Sequence, residues 1–128
     1  GDEPLYGDFI PEVFKHLADK MWQLRQRGVK DILIDPGFGF GKSLQQNYTL
    51  MSHLEEFSMF DAPVLVGISR KSMITRLLGI SPDEALNGTT VLNTVALMKG
   101  ASVLRVHDVR AAREAVEIFT MLNHNNIL

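Results

Sequence analysis

Apolar residues recur at helical spacing near the start of the chain, where Ile10, Val13, Phe14, Leu17, Met21 and Leu24 fall on one stripe. Asp8 is placed to cap this helix, Pro11 is tolerated near its start, and Gly28 marks its stop. The pattern then changes character. Ile32-Leu33-Ile34 is a short continuous apolar run ending on Asp35, and Val64-Leu65-Val66-Gly67-Ile68 is a second. Such runs are expected of parallel strands covered on both faces. A third strand is predicted over 103–107, with Val103, Arg105 and His107 on one face and Leu104 and Val106 on the other.

Helical patterns separate these strands. Ser43 opens a helix with Leu44, Tyr48, Met51 and Leu54 on one stripe, closed by Phe57 to Phe60; a second, from Ser72 to Leu78, stops at Gly79. Ser81-Pro82-Asp83-Glu84 reads as a capping box for a further helix that Asn87-Gly88 is expected to interrupt, with a helix over 89–98 ending at Gly100. Asp108 is placed to cap a last helix whose Val109, Ala112, Val116, Phe119 and Leu122 are expected to face the core. One helix followed by three strand-to-helix units implies an α/β fold with parallel strands and right-handed crossovers. Such a chain forms a small open sheet or part of a (β/α)8 barrel, which as a whole takes about 250 residues.

Composition narrows the partners rather than the fold. At 128 residues, 45% of them hydrophobic and 22% charged, the chain reads as a single soluble globular domain, 1–128. A formal charge of -2 with no cluster of Lys and Arg argues against nucleic acid as a partner. The absence of cysteine excludes disulfides and thiolate metal sites, and suits a reducing cytoplasm. No apolar run approaches a membrane span, so a membrane partner is not expected. The start, Gly1-Asp2-Glu3-Pro4, lacks both the character of a signal peptide and an initiator Met, as expected of a processed or excised segment.

The chemistry concentrates where strands end. Asp35-Pro36-Gly37-Phe38-Gly39-Phe40-Gly41-Lys42 alternates glycines that let the backbone turn sharply and approach a ligand. A phosphate loop needs four residues between its first Gly and Gly-Lys-Ser, and Gly37 leaves three; a dinucleotide turn needs G-x-G-x-x-G, and this chain reads G-x-G-x-G. Both are one residue off. The other strands end in Ser69-Arg70-Lys71 and in Arg105 with His107. Parallel α/β folds bind ligands at these ends. An Arg on the inner face of a strand is expensive unless paired, and an internal salt bridge from Arg105 to Asp35 is the plain structural alternative to a binding role. That pairing leaves Arg70, Lys71 and His107 as further positive groups at the rim, which suits an anionic ligand with a donor-rich head. Phe38 is expected to plug the core and Lys42 to neutralise its loop, with His16 and His53 solvated and Trp22 in the core or a subunit contact. Gly39 and Gly67 allow close approach of a ligand.

D-P-G-F-G-F-G-K resembles the signature of the dihydropteroate synthase family, pterin-binding enzymes of folate synthesis. Gly67-Ile68-Ser69-Arg70-Lys71-Ser72 and Arg105-Val106-His107-Asp108 resemble the family's later motifs in the same order. The resemblance covers essentially all of the chain but only the C-terminal half of such an enzyme. It implies the last three strands and their helices of a (β/α)8 TIM barrel. It further implies that the parent condenses hydroxymethyl-dihydropterin pyrophosphate with p-aminobenzoate, releasing pyrophosphate, and that the fragment alone is inactive. On this resemblance Asp35, Gly67, Lys71 and Arg105 bind the pterin, Arg105 and His107 the pyrophosphate, and Phe40, Arg70 and Ser72 the p-aminobenzoate, with Lys71, Arg105 and His107 as the catalytic set. Mg²⁺ is implied as a cofactor whose ligand lies in the missing N-terminal half, sulfonamides as inhibitors, and a homo-oligomer, dimeric in the parent, as the assembly. The alternatives are a noncatalytic half-barrel that only associates with its missing partner or with itself, and a related pterin-dependent corrinoid methyltransferase barrel.

Overall fold

A computed structural model describes residues 6–39 and 41–127. Helix α1 (Tyr6–Gln26) precedes the first extended segment, and α2 (Leu44–Ser52) continues through a 3-10 turn (Leu54–Phe60) to strand β1 (Leu65–Val66). Helix α3 (Ser72–Leu78), a 3-10 turn (Pro82–Glu84) and α4 (Leu86–Met98) lead to β2 (Val103–Leu104) and the last helix, α5 (Val109–Ile127). The strands are parallel, with Leu65 opposite Val103 and Val66 opposite Leu104. Ile34 pairs with Val64 on the other side of β1 as a single parallel bridge.

The strand expected over 32–35 is thus reduced to one bridge, and two prolines account for it. Ile34 N–H donates to Pro63 O at 2.9 Å, and Leu65 N–H donates to Ile34 O at 2.7 Å. Continuing this parallel ladder in either direction requires a donor from Pro36 or from Pro63, and proline has none. The segment keeps its place because its side chain packs: Ile34, Val64, Val66 and Ile68 are all buried in the common core with Phe38, Leu50, Leu54 and Phe57.

The stripe of α1 closes one side of this core through Ile10 and Met21, with Val13, Phe14 and Leu17 half-buried against it. Phe14 meets Phe57 edge-on at 4.9 Å and Phe60 at 5.7 Å between ring centroids, geometry that aromatic pairs favour. Asp8 does not cap α1 but lies in its first turn, where a carboxylate complements the helix dipole. Trp22 is 65% exposed and so is not a core residue.

The capping signals at 43 and 81 both form, but they start different things. Ser43 accepts from Gln46 N–H while Gln46 reaches back to Ser43 N–H, and an α-helix follows. At Ser81 the Glu84 carboxylate accepts both the N–H and the hydroxyl of Ser81 while Glu84 N–H donates to Ser81 O, and only a single 3-10 turn opens, with α4 beginning after Ala85. Asn87-Gly88 then lies inside α4 rather than interrupting it. Gly88 serves packing: a Cβ there would stand 2.5 Å from Ile74 Cγ2, so the missing side chain lets α4 approach α3.

Helix α5 departs from expectation in what covers it. Ala112 and Ala115 are its buried positions, whereas Val109, Val116 and Leu122 are exposed, Leu122 by 61%. The apolar stripe is real, but α5 leans on α4 through its alanine edge, so periodicity located an apolar face without naming its neighbour.

Replacing Gly88 tests the helix contact. Alanine gains about 1 kcal/mol of helix propensity, but overpacking against the stiff, buried Ile74 costs about 1–3 kcal/mol. Gly88→Ala is expected to lower the urea midpoint slightly, and the same change in an Ile74→Ala background is expected to raise it.

Candidate functional site

The register of β1 and β2, an offset of 38 residues, sets the site. It carries past the ladder's last backbone bond, Arg105 N–H to Val66 O at 3.0 Å. Gly67 stands beside Arg105, and a Cβ on Gly67 would lie 2.5 Å from the guanidinium, so only glycine lets Arg105 lie across β1. Ser69 stands beside His107, taking the backbone N–H of His107 on its hydroxyl at 3.3 Å and lying 2.9 Å from Nδ1 of the ring. Arg70 stands beside Asp108 and pairs with it through both carboxylate oxygens, Nε to Oδ2 at 2.9 Å and Nη2 to Oδ1 at 3.0 Å.

Arg105 reaches back over Gly67 to Asp35, with Nη1 3.5 Å from Oδ2. The pairing foreseen as a purely structural alternative is therefore present, but it is not the buried contact expected, since the Arg105 side chain is 56% exposed. The other Asp35 oxygen accepts from Gly37 N–H at 2.9 Å, which shapes the start of the glycine loop. Lys42 and Lys71 hold the same loop by its carbonyls, Lys42 Nζ to Gly37 O at 2.6 Å and Lys71 Nζ to Phe38 O at 2.7 Å.

Cations crowd this rim. Partial burial is the main cause lowering the Lys71 pKa, followed by the positive charge of Arg105; Asp35 opposes the shift and Lys42 adds to it. Burial likewise lowers the Lys42 pKa, against the pull of Asp35. A single carboxylate thus faces Lys42, Lys71 and Arg105, an arrangement suited to a ligand with donors at one end and negative charge at the other.

The structure brings together Asp35, Gly67, Lys71 and Arg105, and places His107 one step along β2's continuation. Ser72 is exposed as the first residue of α3. Arg70 is bound by the protein, with Nη1 also donating to Pro82 O. Phe40 lies outside the described residues. His53 is not simply solvated, since its Nδ1 meets Glu56 Oε2. Phe38 is fully buried, as a core plug should be.

Two supporting residues, Asn47 and Thr89, carry no motif in the sequence, and a third, Ser69, stands in the strand-end motif without a role of its own. Asn47 is buried and accepts Gly39 N–H at 2.8 Å while its amide donates to Ser43 O, so α2 clamps the glycine loop. Thr89 is buried and accepts the N–H of Arg70, whose φ of 54° is a left-handed conformation that side chains disfavour. Ser69 sets His107. The available signal was a polar residue on a buried helical stripe: Asn47 falls between Leu44 and Met51 in α2.

Among the described residues no three of His, Cys, Asp or Glu gather as metal ligands. No helix there is long and apolar enough to cross a membrane.

The hydrogen bonds from Arg70 hold the Asp108 pKa below the usual carboxylate value. A depressed carboxylate stabilises the fold at pH values above its unfolded pKa, and loses that contribution as pH falls through the lowered one. Asp108→Asn is therefore expected to reduce Tm at pH 7, and the Tm curves of wild type and variant should converge on acidification below about pH 4. Parallel curves would show that the ion pair adds nothing to stability.

Residues 2–107 match the family described as pterin binding enzyme. The chain is 43% identical over 119 residues to dihydropteroate synthase of Escherichia coli K12, covering 91% of this chain and 42% of that protein. It superposes with a TM-score of 0.88 on a dihydropteroate synthase from Coxiella burnetii in complex with pteroic acid, at 38% identity over 92% of this chain and 45% of that one. The Thermus thermophilus dihydropteroate synthase in complex with 4-aminobenzoate matches with a TM-score of 0.86, at 41% identity over 91% of this chain and 48% of that one. The chain spans less than half the length of these relatives. With a match across most of its length and the same backbone under its motifs, the chain belongs to the pterin-binding enzyme family.

Proposed function

We propose that this chain is the C-terminal part, the last three strands and their helices, of a (β/α)8 TIM-barrel dihydropteroate synthase, forming one domain over 1–128. The observation that carries the reading is the convergence of one carboxylate, Asp35, with Lys71 and Arg105 over the bare backbone of Gly67, at the ends of parallel strands. Similarity to proteins named dihydropteroate synthase favours the synthase over the corrinoid alternative.

In this reading Asp35 accepts two hydrogen bonds from the amino-pyrimidine edge of the pterin, a bidentate contact for which a carboxylate is well formed. Lys71 donates to the pterin carbonyl and ring nitrogen. Arg105 lays its planar guanidinium against the pterin and, with His107, holds the pyrophosphate, where forked donors exceed a point charge in specificity. Phe40 and Ser72 line the approach of p-aminobenzoate, and Arg70 supports that side from its pairing with Asp108. The aryl amine nitrogen attacks the pterin methylene carbon, the carbon–oxygen bond to pyrophosphate breaks, and the amine gives up its proton. The protein's part is to align the two substrates and to stabilise the departing negative charge with Arg105 and His107. No step is assigned to a metal.

The residues supplied here form one arc of a pocket, so the chain alone is proposed to be inactive. Its partners are the two small-molecule substrates and a second copy of the protein, for which the exposed apolar side chains Val109, Ile118 and Leu122 of α5 provide surface. Sedimentation at several concentrations, with an assay for dihydropteroate, tests both points: a concentration-independent monomer that makes product would overturn them.

Asp35→Asn in the complete enzyme is expected to weaken pterin binding by about 1.5–3 kcal/mol, the worth of a charged hydrogen bond. Calorimetry reads this directly, and unchanged affinity would remove Asp35 from the pterin site. Arg105→Lys keeps the charge but loses the fork and the stacking plane, so kcat should fall severely while circular dichroism is preserved.

A further inference from the structure

Two arms of the site carry cations that repel one another, Lys71 after β1 and Arg105 after β2. Backbone pairing does not continue far enough to hold the arms together. Two residues further along, the ladder would need a bond from His107 N–H to Ile68 O, yet Ile68 O accepts Lys71 N–H instead and His107 N–H turns to the Ser69 hydroxyl. From there outward the 38-residue register persists only through side chains, Ser69 with His107 and Arg70 with Asp108. Arg70 is itself fixed at three further points: its left-handed backbone, its N–H on Thr89 Oγ1 at 3.0 Å, and its Nη1 on Pro82 O. Its guanidinium therefore has its Nε, Nη1 and Nη2 donors engaged by the protein, and Asp108 has both oxygens engaged by Arg70.

We propose that Arg70 and Asp108 are positioning residues: their bidentate pair clamps the Lys71 arm to the Arg105–His107 arm and sets the gap across which the pterin pyrophosphate is gripped. This rests on the functional reading above and gives Arg70 a positioning role in place of the direct contact with p-aminobenzoate that the family resemblance implies, since three of its five N–H donors are already bound to Asp108 and Pro82. Arg70 and Asp108 act through their neighbours. Lys71 follows Arg70 immediately in the chain, and His107 immediately precedes Asp108, so a shift of the clamp moves both.

The complete enzyme carrying this chain tests the clamp by the two KM values measured separately. Arg70→Gln and Asp108→Asn are each expected to raise the KM for the pterin pyrophosphate by about tenfold or more, since small displacements of positioning groups can cost up to about a hundredfold. The KM for p-aminobenzoate should stay within about twofold, and the double variant should be no worse than either single one, as for residues that act as a unit. The exchanged pair Arg70→Asp with Asp108→Arg should recover part of the loss. Glu55→Gln, which breaks the remote Lys99 pair, controls for the loss of an ion pair as such and should leave both KM values unchanged. If Asp108→Asn fails to fold, Asp108→Glu keeps the charge on a longer arm and should still raise the pterin KM with Tm retained. A rise in the p-aminobenzoate KM for Arg70→Gln alone, with Asp108→Asn unaffected, would make Arg70 a direct ligand and overturn the clamp. Wild-type kinetics in both variants would also overturn it. A wild-type enzyme that neither binds the pterin pyrophosphate nor forms product would instead overturn the functional reading, and the clamp's role with it.

Discussion

The pairing of Leu65 with Val103 is the constraint from which the site follows. A parallel register slipped by one residue would turn every side chain of a strand to the opposite face. Gly67 would then no longer underlie Arg105, Ser69 would miss His107, and the Arg70 and Asp108 forks would not meet. What holds this register is apolar packing, since Val66 and Ile68 are fully buried and Leu104 packs against the same core. The polar contacts at the strand ends are consequences of that packing, and they reinforce it. Gly67 shows the dependence most clearly, for its value is the space it leaves to a residue 38 positions away.

Much of the fold was open to reading from residue pattern alone, for identifiable reasons. Helix α3 begins and ends where Ser72 and Gly79 suggested, because glycine adopts the left-handed conformation at its C-cap without strain, φ being 66° here. The capping box at Ser43 worked for a similarly local reason. Local signals failed where a distant partner decided. Gly88 looks like an interruption until Ile74 is placed against it, and the length of the first strand cannot be judged until Pro36 and Pro63 are set on facing segments. The stripe of α5 had the right period and an incomplete cover, which periodicity does not address.

The site divided in the same way. Asp35, Lys71, Arg105 and His107 stood at strand ends, where chemistry in this class of fold gathers, and the geometry groups them. Their supports were harder to see, because Asn47, Ser69 and Thr89 are small polar residues whose importance depends on being buried next to an N–H group or ring with no other partner at hand. Arg70 looked like a free cation in the sequence, and only the opposing Asp108 shows that its charge is already answered.

The two lysines of the glycine loop carry a further consequence. Lys42 and Lys71 each donate to a carbonyl of the loop itself, Gly37 O and Phe38 O. The backbone thus holds both ammonium groups with its own oxygens. An ammonium carries three N–H donors, so the one given to Phe38 O ties Lys71 to the loop and fixes the directions in which the others point. The direction of positive charge at this rim is therefore set by backbone geometry, because each ammonium is anchored to a carbonyl whose place the glycines fix.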